Sequence, residues 1–179
     1  SLSIVARVRL GLILILAFVA SGWVAKQLAI PPDNVTMLWL PSGVAVAAVL
    51  LYGRWLLPTV FLASLLLNTI LGVSMGSGML RAGGLAVWTA FGATLQVLIA
   101  DVLLRRRFGD HLELTHGRDV AVAIGLGIVI PALVSASIGH LALMALRDFP
   151  IDRVPGSMVT WALGDILGIL TVAPFAMIG

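Results

Sequence analysis

The chain has no cysteine at all, and only 11% of its 179 residues are charged. Without cysteine there is no disulfide framework and no thiolate metal site, so stapled secreted modules and CxxC chemistry are excluded. The shortage of charge excludes more. Soluble domains carry about 25% charged residues, because a charged exterior is what water tolerates. At 11% charged and 60% hydrophobic, this chain has too little polar surface to coat a globule, and too much apolar surface to stay disordered. Also missing are GxxxxGK[ST], HExxH and the Gly-x-Ser-x-Gly nucleophile turn. The longest polar stretch, residues 105–119, has no room for a catalytic domain. No catalytic residue, metal site or cofactor site is therefore expected. The net charge is +3, and the 11 Lys+Arg are scattered along the chain, which fits orientation in a bilayer better than nucleic-acid binding.

Long uncharged windows fill the space that charge leaves. A spanning helix needs roughly 20 apolar residues to cross a ~30 Å hydrocarbon core. Charged residues bound five such windows: Arg9 to Lys26, Asp33 to Arg54, Arg54 to Arg81, Arg81 to Asp101, and Asp119 to Arg147. A sixth runs from Val154 to Gly179 with Asp165 inside it. The expected fold is all-α, a polytopic transmembrane bundle of six helices in one membrane domain over residues 1–179. Pro31-Pro32-Asp33 and Tyr52-Gly53-Arg54 read as tight turns between helices. An N-terminus on the cytoplasmic side places Arg7, Arg9, Arg54, Arg105, Arg106, Arg107 and Arg118 inside, against Lys26, Arg81, Arg147 and Arg153 outside. That imbalance obeys the positive-inside rule, so both termini are expected in the cytoplasm. Arg105-Arg106-Arg107 reads as a stop at the membrane face. The first apolar stretch outruns a signal-peptide core and is read as an uncleaved helix.

Polar side chains at membrane depth are costly unless paired, so each needs a reason. Counting from the nearest loop places Asp165, His140 and Asn68 in one outer-half layer, with Ser42 about two turns into the second helix. Trp161 lies one turn before Asp165 on the same face, and Trp39 opens the second helix. The functional reading is a small ligand cavity lined by Trp39, Ser42, Asn68, His140, Trp161 and Asp165, entered from outside. The competing reading is a hydrogen-bond network that only holds the helices together, with the tryptophans as an interfacial belt. An Asp165–His140 pair would add pH sensitivity. Gln96 reads as a bond to a neighbouring helix, and Asp101 as an i,i+4 partner of Arg105. His111 and His116 lack the carboxylate or thiolate company of a metal site. Gly164 with Gly168, and Ser135 with Gly139, have small-xxx-small spacing for close helix packing, and Gly43 in the second helix is also read as a packing position. Pro131 should bend the fifth helix.

Residues 38 to 68, LWLPSGVAVAAVLLYGRWLLPTVFLASLLLN, carry Trp-x-Pro-x-Gly, a run of small apolar residues, Gly-Arg, and a proline opening the next helix. This block resembles the membrane-associated sensor domain of the first type, the MASE family. Further similarity follows in order through TLQVLIADVLLRRR, RDVAVAIGLGIVIPALVSASIG and WALGDILGILTVAP. The resemblance implies an integral input module of the bacterial inner membrane, fused at its cytoplasmic end to a histidine kinase or to cyclic-di-GMP enzymes. Because the family usually carries more helices, the resemblance implies that residues 1–179 are either the N-terminal part of a longer receptor or a compact variant. Expected partners are the bilayer, a small-molecule or membrane-protein stimulus and an output domain in cis, with a homodimer left open and no nucleic acid. The family's motif falls here on Trp39, Pro41, Gly43, Gly53, Arg54, Pro58, Asn68, Trp161, Gly164, Asp165, Gly168 and Pro174. The alternative is the substrate-binding membrane subunit of a vitamin-type importer, which shares size and helix number.

Overall fold

The computed structural model describes residues 2–28, 36–109, 116–147 and 149–178. The bend expected at Pro31-Pro32-Asp33 and the side chain of His111 lie outside the described residues. Those residues form six helical elements and no strand. They are α1 (Ile4–Gln27), α2 (Leu40–Tyr52), α3 (Leu57–Ser74), α4 (Met79–Phe108), α5 (Gly117–Arg147) and α6 (Val154–Ile178). Five of the described helices are long and apolar enough to cross a membrane; α2, with 13 residues, is shorter.

Local chemistry sets the helix ends. Pro41 sits in the first turn of α2, where a missing N–H costs nothing. Gly53 then stops α2 at φ 100°, a left-handed conformation that a side chain would oppose. A single 3-10 turn, Arg54–Leu56, leads straight into α3. In α5, residues Gly125–Val129 form one wide π turn that ends two residues before Pro131. Proline cannot donate a backbone bond, so the ladder loses a rung there and is re-spaced: Ile130 N–H reaches back to Gly125.

Helix α4 runs longer than its charge-free window at both ends, straight through Asp101 and Arg105-Arg106-Arg107. Charge failed as a boundary marker here because Asp101 is buried between two arginines. Arg54 Nε donates to Asp101 Oδ2 at 2.5 Å, and Arg105 Nε to Oδ1 at 2.7 Å. The expected Asp101–Arg105 pair is present, and Arg54 completes it. Arg105 also donates to the Leu50 carbonyl at 2.9 Å, joining α4 to α2.

The chain runs back and forth along the bundle. Arg7 stacks over Trp55, 5.6 Å from the ring centre, which sets the start of α1 beside the α2–α3 link. At the opposite end, Lys26 Nζ donates to Ser74 Oγ at 2.7 Å and Arg147 to Ser77 Oγ at 2.5 Å. Helix α4 packs against α3 and α5, α2 against α6, and α1 against α2 and α3. The apolar core includes Phe18, Val49, Leu56, Val60, Val97 and Ile169, drawn from α1, α2, α3, α4, α6 and the α2–α3 link. Leu12, Ile13 and Leu16 of α1 and Val87 and Phe91 of α4 stay exposed, as a lipid-facing surface requires.

Candidate functional site

Helix α2 begins inside the bundle. Trp39 N–H donates to the Gly164 carbonyl at 2.9 Å, and Gly164 lies ten residues into α6, ~15 Å from its start. The two helices run parallel at near-backbone contact. A Cβ on Gly168 would overlap the Trp39 carbonyl, one on Gly43 would overlap the Gly168 carbonyl, and one on Gly164 would stand 2.8 Å from the Thr36 carbonyl. The small-residue packing read from Gly43, Gly164 and Gly168 is present and joins α2 to α6. Ser42 is placed differently from expectation. It lies in the first turn of α2, because the helix starts at Leu40 and not near Asp33. The half-length of α2 leaves the far half of its column to other residues.

A cavity of about 370 Å³ opens there. On α4 the lining stripe reads Ala82, Ala86, Thr89, Ala93 and Gln96, spaced by four and three residues along one helix face. Four of those side chains are too short to reach the opposite wall, so the space stays open. Trp39 and Ser42 of α2, Asn68 of α3, and Trp161 and Asp165 of α6 line it as well. Met75 and Arg147, both exposed, mark its open end, and Ala45 and Gln96 lie at its depth. From Ala82 to Gln96 the cavity follows α4 for ~21 Å.

Five of the six residues singled out in the sequence thus line one cavity. His140 stands behind it. Its Nδ1 meets the Ala136 carbonyl at 2.8 Å, its Nε2 meets Ser157 Oγ at 2.9 Å, and its ring packs against Trp161 with centroids 5.3 Å apart. With both ring nitrogens committed elsewhere, the expected Asp165–His140 pair does not form. Nor do carboxylate, imidazole and carboxamide bond one another: Asn68 Nδ2 donates to the Ser64 carbonyl at 2.9 Å on its own helix. What brings Asn68 and Asp165 together is the shared cavity wall.

Gln96, Ser135 and Ser42, from α4, α5 and α2, face the Asp165 carboxyl as potential hydrogen-bond donors. Asp165 and Gln96 are each 2% exposed, and Ser135 is 5% exposed. Ser42 Oγ lies 2.7 Å from the Trp39 carbonyl and 3.1 Å from the Asp165 carbonyl, so its single proton is engaged by backbone. Asp165 Oδ2 and Gln96 Nε2 are left without a hydrogen-bond partner. Sequence reasoning assigned Ser135 to packing and Gln96 to a neighbouring helix. Their place at the cavity was signalled by register: Gln96 falls seven residues after Thr89 on the small-residue stripe of α4. Gly139, the other half of the Ser135 pair, packs under the Trp161 ring, where a Cβ would stand 2.7 Å from the ring edge.

The family model of the MASE1 domain matches residues 9–178. The chain belongs to the MASE1 family. The similarity first seen in residues 38 to 68 and in the closing Trp161-to-Pro174 block therefore extends over nearly the whole chain. MASE1 domains are membrane sensor input modules and not catalytic units, so this chain is an integral membrane sensory domain. No curated protein and no solved structure matches it. Within the MASE1 domain, two motif positions acquire direct structural roles. Arg54 holds buried Asp101, and Gly168 admits the Trp39 carbonyl.

Proposed function

We propose that the cavity between α2, α3, α4, α5 and α6 is the receptor site of this sensory domain. A small ligand filling it shifts the packing of α6, and the shift passes to a cytoplasmic output domain, a histidine kinase or a cyclic-di-GMP enzyme. The observation that carries this reading is a cavity of about 370 Å³ whose buried polar residues, Asp165 and Gln96, retain unpaired atoms. A purely adhesive polar network would close on itself, because each buried unpaired group costs about 1–3 kcal/mol. The charge distribution supports a bacterial inner-membrane topology with both termini in the cytoplasm and the open end of the cavity outside. Membership in an input-module family supports this reading over the importer alternative.

Relay through α6 follows from how it is held. It carries Trp161 and Asp165 at the cavity and then runs to the end of the bundle where the chain's termini lie. The test is a fusion of a diguanylate cyclase domain after Gly179, comparing the wild type with Ala86→Phe, which fills the cavity, and with Asp165→Asn. Ala86→Phe is expected to hold cyclic-di-GMP output several-fold away from the wild-type level, at unchanged abundance in the membrane. An output equal to wild type in a well-folded Ala86→Phe protein would remove the cavity from signalling.

A further inference from the structure

The deep end of the cavity narrows the chemistry of what can occupy it. Asp165 Oδ2 is an unpaired acceptor and Gln96 Nε2 an unpaired donor, contributed by α6 and α4. Both side chains are 2% exposed, and both line the cavity. Resting on the receptor reading above, we infer that the ligand is an uncharged amphiphile with one head group that both donates and accepts a hydrogen bond. A carboxamide or an alcohol has that character. The head lies at Asp165 and Gln96, and the apolar body follows the Ala82, Ala86 and Ala93 stripe toward Met75.

Both signs of charge are disfavoured at the head. An anion would meet the Asp165 carboxyl. A cation would be drawn to that carboxyl, but it would also meet the N-terminal end of α2, whose first turn at Leu40–Ser42 presents the positive pole of the helix to the same end of the cavity, and it would shed its hydration shell at this depth. Ser42 Oγ offers an anion no donor, since its proton is directed at backbone carbonyls. Among the described lining residues the one cation is Arg147, twelve residues along α5 from Ser135 and so ~18 Å from the floor. It donates to Ser77 Oγ at the rim. Desolvating a charged head at this depth would add a further cost, whereas a neutral donor-acceptor head supplies what the two buried side chains lack. The volume sits at the low end of the roughly 300–1,000 Å³ usual for small-molecule sites, so the body is a medium-length chain or a single ring system.

The test uses the whole domain in lipid nanodiscs with Trp23, Trp55 and Trp88 changed to Phe, so that emission comes from Trp39 and Trp161 in the cavity wall. A brominated decanol is the quenching probe, and decanamide, decanol, decanoate, decyltrimethylammonium and decane compete with it. Saturable quenching is expected, with decanamide and decanol displacing the probe at least about tenfold more effectively than either charged compound. Gln96→Leu should lower decanamide affinity by about tenfold, the worth of one hydrogen bond, and leave that of decane unchanged. Gln96→Met, closer in length, serves where the leucine variant does not accumulate. Three results would overturn the inference: no saturable quenching, charged heads competing as well as neutral ones, or a head-group ranking unchanged in the Gln96 variants. The last would mean that water alone satisfies the pair. If the ranking is absent while Ala86→Phe still shifts signalling, only the ligand class falls. If both measurements are flat, the receptor reading falls with it.

Discussion

Gly168 and Gly83 both lie inside helices of this domain, yet an added methyl group meets opposite surroundings at the two positions. At Gly168 it would drive into the Trp39 carbonyl; at Gly83 nothing lies within 4 Å. Gly168→Ala is therefore expected to lose about 1–3 kcal/mol through overpacking, read as a lower midpoint of thermal unfolding in detergent. Gly83→Ala should be neutral or stabilising by up to about 1 kcal/mol. Asp101→Ala strands the two arginines that it pairs. It should cost about 3 kcal/mol, the low end for breaking a buried ion pair, because the Arg54 side chain is half exposed. Trp39, Ser42, Asn68, Trp161 and Asp165 could be picked from the sequence because polar and amphipathic side chains are conspicuous in an apolar run. Partners that depend on a third helix were not visible in that way. Nothing local in the sequence tells Arg54 to turn toward Asp101, and His140 sits at the right depth but points its nitrogens along another path.

At the scale of elements, helix number could be read from the spacing of charges, and helix ends could not. A charge marks a membrane boundary only when it is solvated. Asp101 is neutralised inside the bundle, so α4 continues past it to Phe108. At α2 the charge at Asp33 stands well before the helix in sequence, and the helix opens at Trp39, as its Trp-x-Pro motif indicates, where the Trp39 amide finds the Gly164 carbonyl. That bond makes a prediction for hydrogen exchange in nanodiscs. The Trp39 amide precedes the helix and ordinarily would exchange fast, yet it should rank among the protected amides of the domain. Exchange as rapid as that of the Met37 amide would place the start of α2 in water. Pro131 was legible as a break in the hydrogen-bond ladder, but the wide turn that re-spaces the ladder from Gly125 depends on which bonds the neighbouring residues recover.

Taken whole, the bundle has two ends that can be told apart chemically, and the lack of cysteine makes labelling clean. Single cysteines at Ser77, between α3 and α4, and at Gly117, at the start of α5, should react with an impermeant maleimide from opposite faces of an oriented membrane. With the proposed topology, Ser77→Cys labels in intact cells and Gly117→Cys only after lysis. Labelling of both from one face would break the alternating path of the helices. The apolar core and the cavity meet along Phe18, Ala45 and Val97, so an occupant would press on the core directly. Helix α2 is fastened to α6 through glycine-backed carbonyls at its beginning and to α4 through Arg105 and the Leu50 carbonyl near its end. Neither α6 nor α4 can then slide past α2 without carrying it along. The three are coupled like the stones around a keystone, so a displacement of α6 by an occupant carries α2 with it and, through Arg105 and the Leu50 carbonyl, reaches α4.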